Sequence, residues 1–97
     1  MKVDVRSVHF ELSEASKNYL TTKIERIGYA KDMIVDLLFV FTKDAKKYSL
    51  EVTANFRWGI QAHLEESAFE INPGIDVLID RLDHKIAKEK QKIQEKK

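Results

Sequence analysis

The most suggestive chemistry in these 97 residues is electrostatic, and it is concentrated at one end. Residues 81–97 hold seven basic groups, Arg81, Lys85, Lys88, Lys90, Lys92, Lys96 and Lys97, against three acidic ones, a local balance of +4. The first 80 residues therefore carry −3, and a near-neutral total of +1 conceals a basic end on a mildly acidic body. At about 100° per residue, Arg81, Lys85, Lys88, Lys92 and Lys96 fall within about 80° of one another on a helix. They make one ridge beside the apolar stripe, while Asp76, Asp80 and Asp83 occupy a separate arc. Cations spaced along a rigid helix engage several phosphates at once and select a backbone shape more than a sequence. The plain alternative is a solvated helix end whose lysines suit the C-terminal dipole, with Glu89–Lys92 and Lys92–Glu95 as local pairs.

Catalytic patterns are missing. The three histidines, His9, His63 and His84, fall on three different predicted elements without an i, i+4 pair, so their spacing reads as no metal site, and His63 reads as a surface group. There is no GxSxG, Walker-type loop or GxGxxG, and Gly28, Gly59 and Gly74 are isolated. Glu65-Glu66 is a pair of acids at a strand end. The reading is a non-enzyme with no catalytic residue, no cofactor and no metal. The absence of Cys removes thiol chemistry and disulfides. No apolar run reaches the ~20 residues of a membrane span, and the N-terminus lacks a signal-peptide core, so a cytoplasmic protein with no membrane partner is expected.

The elements that must position the ridge follow from hydrophobic period. Residues 3–10 read as a strand whose apolar parity shifts at Val8 and Phe10, hinting at a bulge. Ser13 caps a helix running to about Ile27, with Leu20, Ile24 and Ile27 as its core stripe and Gly28 as its stop. Met33–Phe41 is an interior strand, and residues 43–47 form a polar turn. Tyr48, Leu50, Val52, Ala54 and Phe56 then alternate with polar partners, so one sheet face meets water. Gly59 turns the chain into a strand carrying Ile60, Ala62 and Leu64. Asn72-Pro73 reads as N-cap and N1 of a last helix with a stripe of Ile75, Leu78, Ile79, Leu82, Ile86 and Ile93. At 43% hydrophobic and 34% charged, with one Pro and three Gly, the chain supports one folded core, a single domain over residues 1–97. The predicted class is α+β, β-α-β-β-β-α, a four-stranded sheet with two helices on one face, in an order shared in part with double-stranded-RNA-binding domains. On the first helix Lys23 and Arg26 lie on one flank of the stripe and Lys17 on the other; if the former pair face the ridge, the two helices form a basic double track.

The pattern as a whole resembles the bacterial ribosome hibernation-promoting and ribosome-associated translation-inhibitor family. The resemblance rests on Glu11-Leu12-Ser13-Glu14-Ala15, on Lys23-Ile24-Glu25-Arg26-Ile27, and most specifically on Ile75-Asp76-Val77-Leu78-Ile79-Asp80-Arg81-Leu82-Asp83 followed by Lys85, Lys88 and Lys90. It implies a fold that binds rRNA of the small ribosomal subunit near the decoding region, competes there with mRNA and tRNA, and keeps idle ribosomes inactive without catalysis. It implies rRNA contacts by Lys23, Arg26, Arg81, His84, Lys85, Lys88, Lys90 and Lys92. His84 stands where many members have Arg, and Asn72-Pro73-Gly74 replaces an aromatic-small-small helix entry. Ending at Lys97, the chain is similar to the short form or to the first domain of a long form. The rival expectation is a protein-interaction module that self-associates through an edge strand or the open sheet face.

Overall fold

The ridge helix needs a sheet to lie on, and the alternating segments supply it. The computed structural model describes residues 1–95, with side chains through Ile93; Lys96, placed on the ridge above, lies outside them. The order is β1 (Lys2–Val8), α1 (Glu14–Ile24), a 3₁₀ segment (Glu25–Ala30), β2 (Ile34–Asp44), β3 (Lys47–Phe56), β4 (Gln61–Ala68) and α2 (Ile71–Glu95). The strands lie side by side as β1-β2-β3-β4, with β1 parallel to β2 and the other pairs antiparallel. The parallel pair is possible because α1 is the crossover between its strands.

The core lies between the helices and the inward face of the sheet. Leu37, Phe39 and Phe41 of β2, Leu50, Val52, Ala54 and Phe56 of β3, and Ala62 of β4 are buried there. They meet Leu20 of α1 and Ile75, Leu78, Ile79, Leu82 and Ile86 of α2, all buried. The outward residues of β3, Ser49, Glu51, Thr53 and Asn55, are half-buried, as the strict alternation requires of a face without a covering layer.

Several local expectations are corrected. β1 ends at Val8, where His9 takes a left-handed φ of 67°; the parity shift marks a strand end and not a bulge. A register irregularity lies instead between Ile34 and Asp36, where β2 meets β3. The β2–β3 turn is tighter than five residues, since Asp44 pairs with Lys47 and Ala45 takes φ 55°. Ser13 does cap α1, its Oγ accepting from the Ser16 N–H at 3.1 Å. Gly28 does not stop that helix. The chain tightens into 3₁₀ turns at Glu25 and passes through Gly28 without a positive φ, and Lys31 N–H donates to the Gly28 carbonyl at 3.1 Å.

α2 starts at Ile71, so Asn72 and Pro73 sit inside its first turn and are not its cap and first residue. Proline is tolerated there because first-turn N–H groups have no partner within the helix. Asn72 serves packing instead, its Oδ1 accepting from Ser16 Oγ at 3.0 Å. Ile93 is 39% exposed and leaves the core stripe, whereas Glu89 is only 2% exposed. Twenty-five helical residues rise about 37 Å against about 27 Å for the eight of β4, so the last turns overrun the sheet.

Candidate nucleic-acid interface

α2 separates its charges because two different neighbours flank its buried stripe. On one flank lies α1. Tyr19 Oη donates to Asp76 Oδ1 at 2.6 Å, and Lys23 Nζ reaches the same oxygen at 3.2 Å. One turn on, Arg26 pairs with Asp80 and, at 3.4 Å, with Asp83, which also accepts from the Tyr29 hydroxyl. The spacing of three and four residues on both helices is what brings each pair level with the next.

These contacts set the local ionisation. The Tyr19 hydrogen bond, helped by Lys23, lowers the Asp76 carboxyl below its ordinary value despite some desolvation. Hydrogen bonding to Asp76 raises both Tyr19 and Lys23, and Asp80 raises Arg26 further. Burial, then the Asp83 hydrogen bond, pushes the Tyr29 phenol up to about 12.

The other flank of α2 runs along β4. Arg81 donates from Nη1 to the Glu65 carbonyl at 2.6 Å and to Glu66 Oε2 at 2.9 Å, tying the helix to the strand end. Lys85 and Lys92 share the buried Glu89, at 3.2 and 3.6 Å. Arg81, His84, Lys85 and Lys88 line an open depression whose floor includes Leu64. The side chains of Lys88 and His84 have no hydrogen-bonding or ionic partner among the described residues.

Of the eight residues expected to contact rRNA, four thus gather along the β4 flank: Arg81, His84, Lys85 and Lys88. Lys92 continues that line one turn further. Lys23 and Arg26 face the acidic arc of α2, so the condition for a double track is not met. Lys90, about 170° around the helix from the ridge at 100° per residue, is exposed on its own. Sequence reading missed Leu64 and the Glu65 carbonyl, which only the fold brings to the ridge. It also missed Glu89 as a buried anchor, although a carboxylate three residues after Ile86 on the core stripe was the available signal.

The family model of the Sigma 54 modulation protein / S30EA ribosomal protein matches residues 3–94. The chain belongs to this family. Its relatives include a ribosome hibernation promoting factor of Azotobacter vinelandii, 25% identical over 92 residues, spanning 95% of this chain and 85% of that protein. Another, of the same name, is from Pseudomonas putida, 25% identical over 95 residues and covering 97% and 91% of the two chains. Among solved structures, a ribosomal subunit interface protein from Coxiella burnetii superposes with a TM-score of 0.86 at 18% identity, over 94% of this chain and 99% of that one. The N-terminal domain of Thermus thermophilus Protein Y gives 0.77 at 22%, over 89% and 96%. At these identities the two structures establish the fold, and it is the β-α-β-β-β-α arrangement expected of the family.

Proposed function

We propose that this protein is a non-enzymatic regulator of translation that binds rRNA of the small ribosomal subunit near the decoding region and excludes mRNA and tRNA. The observation that carries the reading is the division of α2. Its acidic arc is paired with Lys23 and Arg26, whereas on the flank beside β4 the four cations Arg81, Lys85, Lys88 and Lys92 face two carboxylates, Glu66 and Glu89, and keep an excess of positive charge. The relatives' names, ribosome hibernation promoting factor, support the same reading. On this reading Arg81, Lys85, Lys88 and Lys92 meet phosphates, His84 adds a hydrogen-bonding group between them, Lys90 contacts backbone on the far flank, and Lys23 and Arg26 hold α1 on α2. Occlusion by a charged wedge requires no reacting group.

Cosedimentation with purified small subunits tests it. Lys88→Glu with Lys90→Glu is the cleanest reversal, because reversing Lys85 or Lys92 would also set a second carboxylate against buried Glu89. Loss of binding, with tRNA competing against the wild type, is expected; unchanged binding of the double variant at moderate salt rejects the proposal.

A second reading has its own observation. β1 is an edge strand with every residue exposed, including Val3, Val5 and Val8, and a groove between it and α1 is lined by Val3, Val5, Leu20 and Ile24. Such an edge suits self-association by strand addition, although Lys2, Asp4 and Arg6 along it are the kind of charge that blunts pairing. A dimer insensitive to salt and without rRNA affinity would favour it.

A further inference from the structure

The open face of the sheet carries a grouping unrelated to the cationic helix. In the β3–β4 register Glu51 lies directly opposite Glu65, and Thr53 directly opposite His63. Alternation along both strands therefore puts Glu51, His63 and Glu65 on the same outward face. One ligand atom from each lies within 4.8 Å of the other two. His63 Nε2 is 3.4 Å from Glu51 Oε1, with the two side chains 51% and 33% exposed.

We propose that Glu51, His63 and Glu65 form a binding site for a first-row divalent cation of the zinc class. The distances carry this first. Two donors each about 2.0–2.1 Å from a tetrahedral ion stand about 3.4 Å apart, the separation already present between Glu51 and His63. The second carboxylate has an oxygen within 4.8 Å of both, and all three stems rise from two hydrogen-bonded strands.

Charge carries it next. Like charges directly opposite each other on antiparallel strands are destabilising, and Glu51 and Glu65 are so placed. A cation between them converts that repulsion into attraction. The residues behind the ligands fit as well. Thr53 Oγ1 lies 3.0 Å from His63 Nδ1 and Ser49 Oγ donates to Glu65 Oε1 at 3.3 Å, so the far side of the imidazole and one carboxylate are held from outside the cluster. When Nδ1 donates to Thr53, the Nε2 lone pair points at the Glu51 carboxylate, and only a proton or a metal ion between them is favourable.

Donor type selects the metal. One imidazole nitrogen with two carboxylates suits zinc and its neighbours, whereas calcium and magnesium require six or more oxygens. Three protein ligands on an exposed face leave the remaining position to water. Strand alternation puts His63 and Glu65 on one face two residues apart, but Glu51 joins them only through the register of the hairpin.

The test is calorimetric titration of the full chain with zinc chloride in a non-chelating buffer, repeated with cobalt(II) for its visible ligand-field bands. One ion per chain is expected, with cobalt bands of a four-coordinate N/O site and no displacement by millimolar magnesium. His63→Ala should weaken binding about tenfold or more, as should Glu51→Gln and Glu65→Gln, while His9→Ala and His84→Ala should not. Glu51→Gln removes the opposed charge, so it folds at least as stably as the wild type, and its loss of zinc reports the site alone. No saturable binding below about 0.1 mM zinc, or equal affinity in wild type and His63→Ala, overturns the proposal. Either result leaves the ribosome reading untouched, since Glu65, which both involve, meets Arg81 through its backbone carbonyl and the cation through its side chain.

Discussion

If the cationic flank of α2 meets phosphates, its size fixes how steeply binding must respond to salt. Arg81, Lys85, Lys88 and Lys92 span twelve residues, about 16 Å of helix rise. Each neutralised phosphate releases condensed counterions, giving a slope of about −0.7 to −0.9 in log K against log salt. Four contacts thus predict a slope of about −2.8 to −3.6, an affinity loss of about 50- to 150-fold between 50 and 200 mM salt. Lys88 has no ionic partner among the described residues, so Lys88→Ala removes one full contact and nothing else. Its slope should be shallower by just under one, and its salt-induced loss about threefold smaller. Lys23→Ala should leave the slope unchanged, because that lysine is bound to Asp76 on the opposite flank. The assay is fluorescence anisotropy of labelled protein with purified small subunits at four salt concentrations. A Lys88→Ala slope equal to wild type, or a Lys23→Ala slope as shallow as that of Lys88→Ala, refutes the division of the helix into a structural and a binding flank.

Other expectations concern the scaffold. A Cβ at Gly74 would lie 2.9 Å from Ala68 Cβ and from Leu50 Cδ2, so overpacking of about 1–3 kcal/mol in Gly74→Ala should outweigh about 1 kcal/mol of helix propensity; a higher urea midpoint would contradict that packing. Phe39 is fully buried, and Phe39→Ala should lose about 3–5 kcal/mol by the same measurement. Asp76 has a lowered pKa in the fold, chiefly from Tyr19, so its stabilisation is present above the ordinary carboxylate value of about 3.9 and is lost as pH falls through the lower folded value. Asp76→Asn should therefore flatten the acid limb of a stability–pH curve. Tyr29, raised to about 12, contributes stability that is full below the ordinary phenol value of about 10 and lost as pH rises through about 12; Tyr29→Phe should remove the highest step of the ultraviolet phenol titration.

What could be read in the sequence was periodic, and what could not depended on partners. The alternation from Tyr48 to Phe56 and the stripe from Ile75 to Ile86 are each set by one neighbouring surface, so period alone located them. Ile93 keeps the period but has outrun the eight-residue strand, and Glu89 holds a stripe position only because Lys85 and Lys92 close over it. Gly28 and Asn72-Pro73 are sound stop and start signals, yet the tertiary contacts of Ile27 and Ala30, both buried, and of Asn72 with Ser16 move the boundaries.

The same dependence explains the site. A helical wheel separates the aspartates of α2 from its lysines, but cannot say which arc is covered. The decision belongs to α1 and the 3₁₀ segment that follows it, whose Tyr19, Lys23, Arg26 and Tyr29 recur at the interval that matches Asp76, Asp80 and Asp83. Two of the cations on that face count toward composition as basic charge, yet they cancel against acids on the next helix. Setting aside Lys23, Arg26 and the three aspartates they face, residues 81–97 keep seven basic groups against Glu89 and Glu95, which is how a chain of net charge +1 carries a localised cationic ridge. Net charge is then a poor guide to a nucleic-acid partner in a small α+β domain, because it sums charges that packing has already paired with those that remain in solvent.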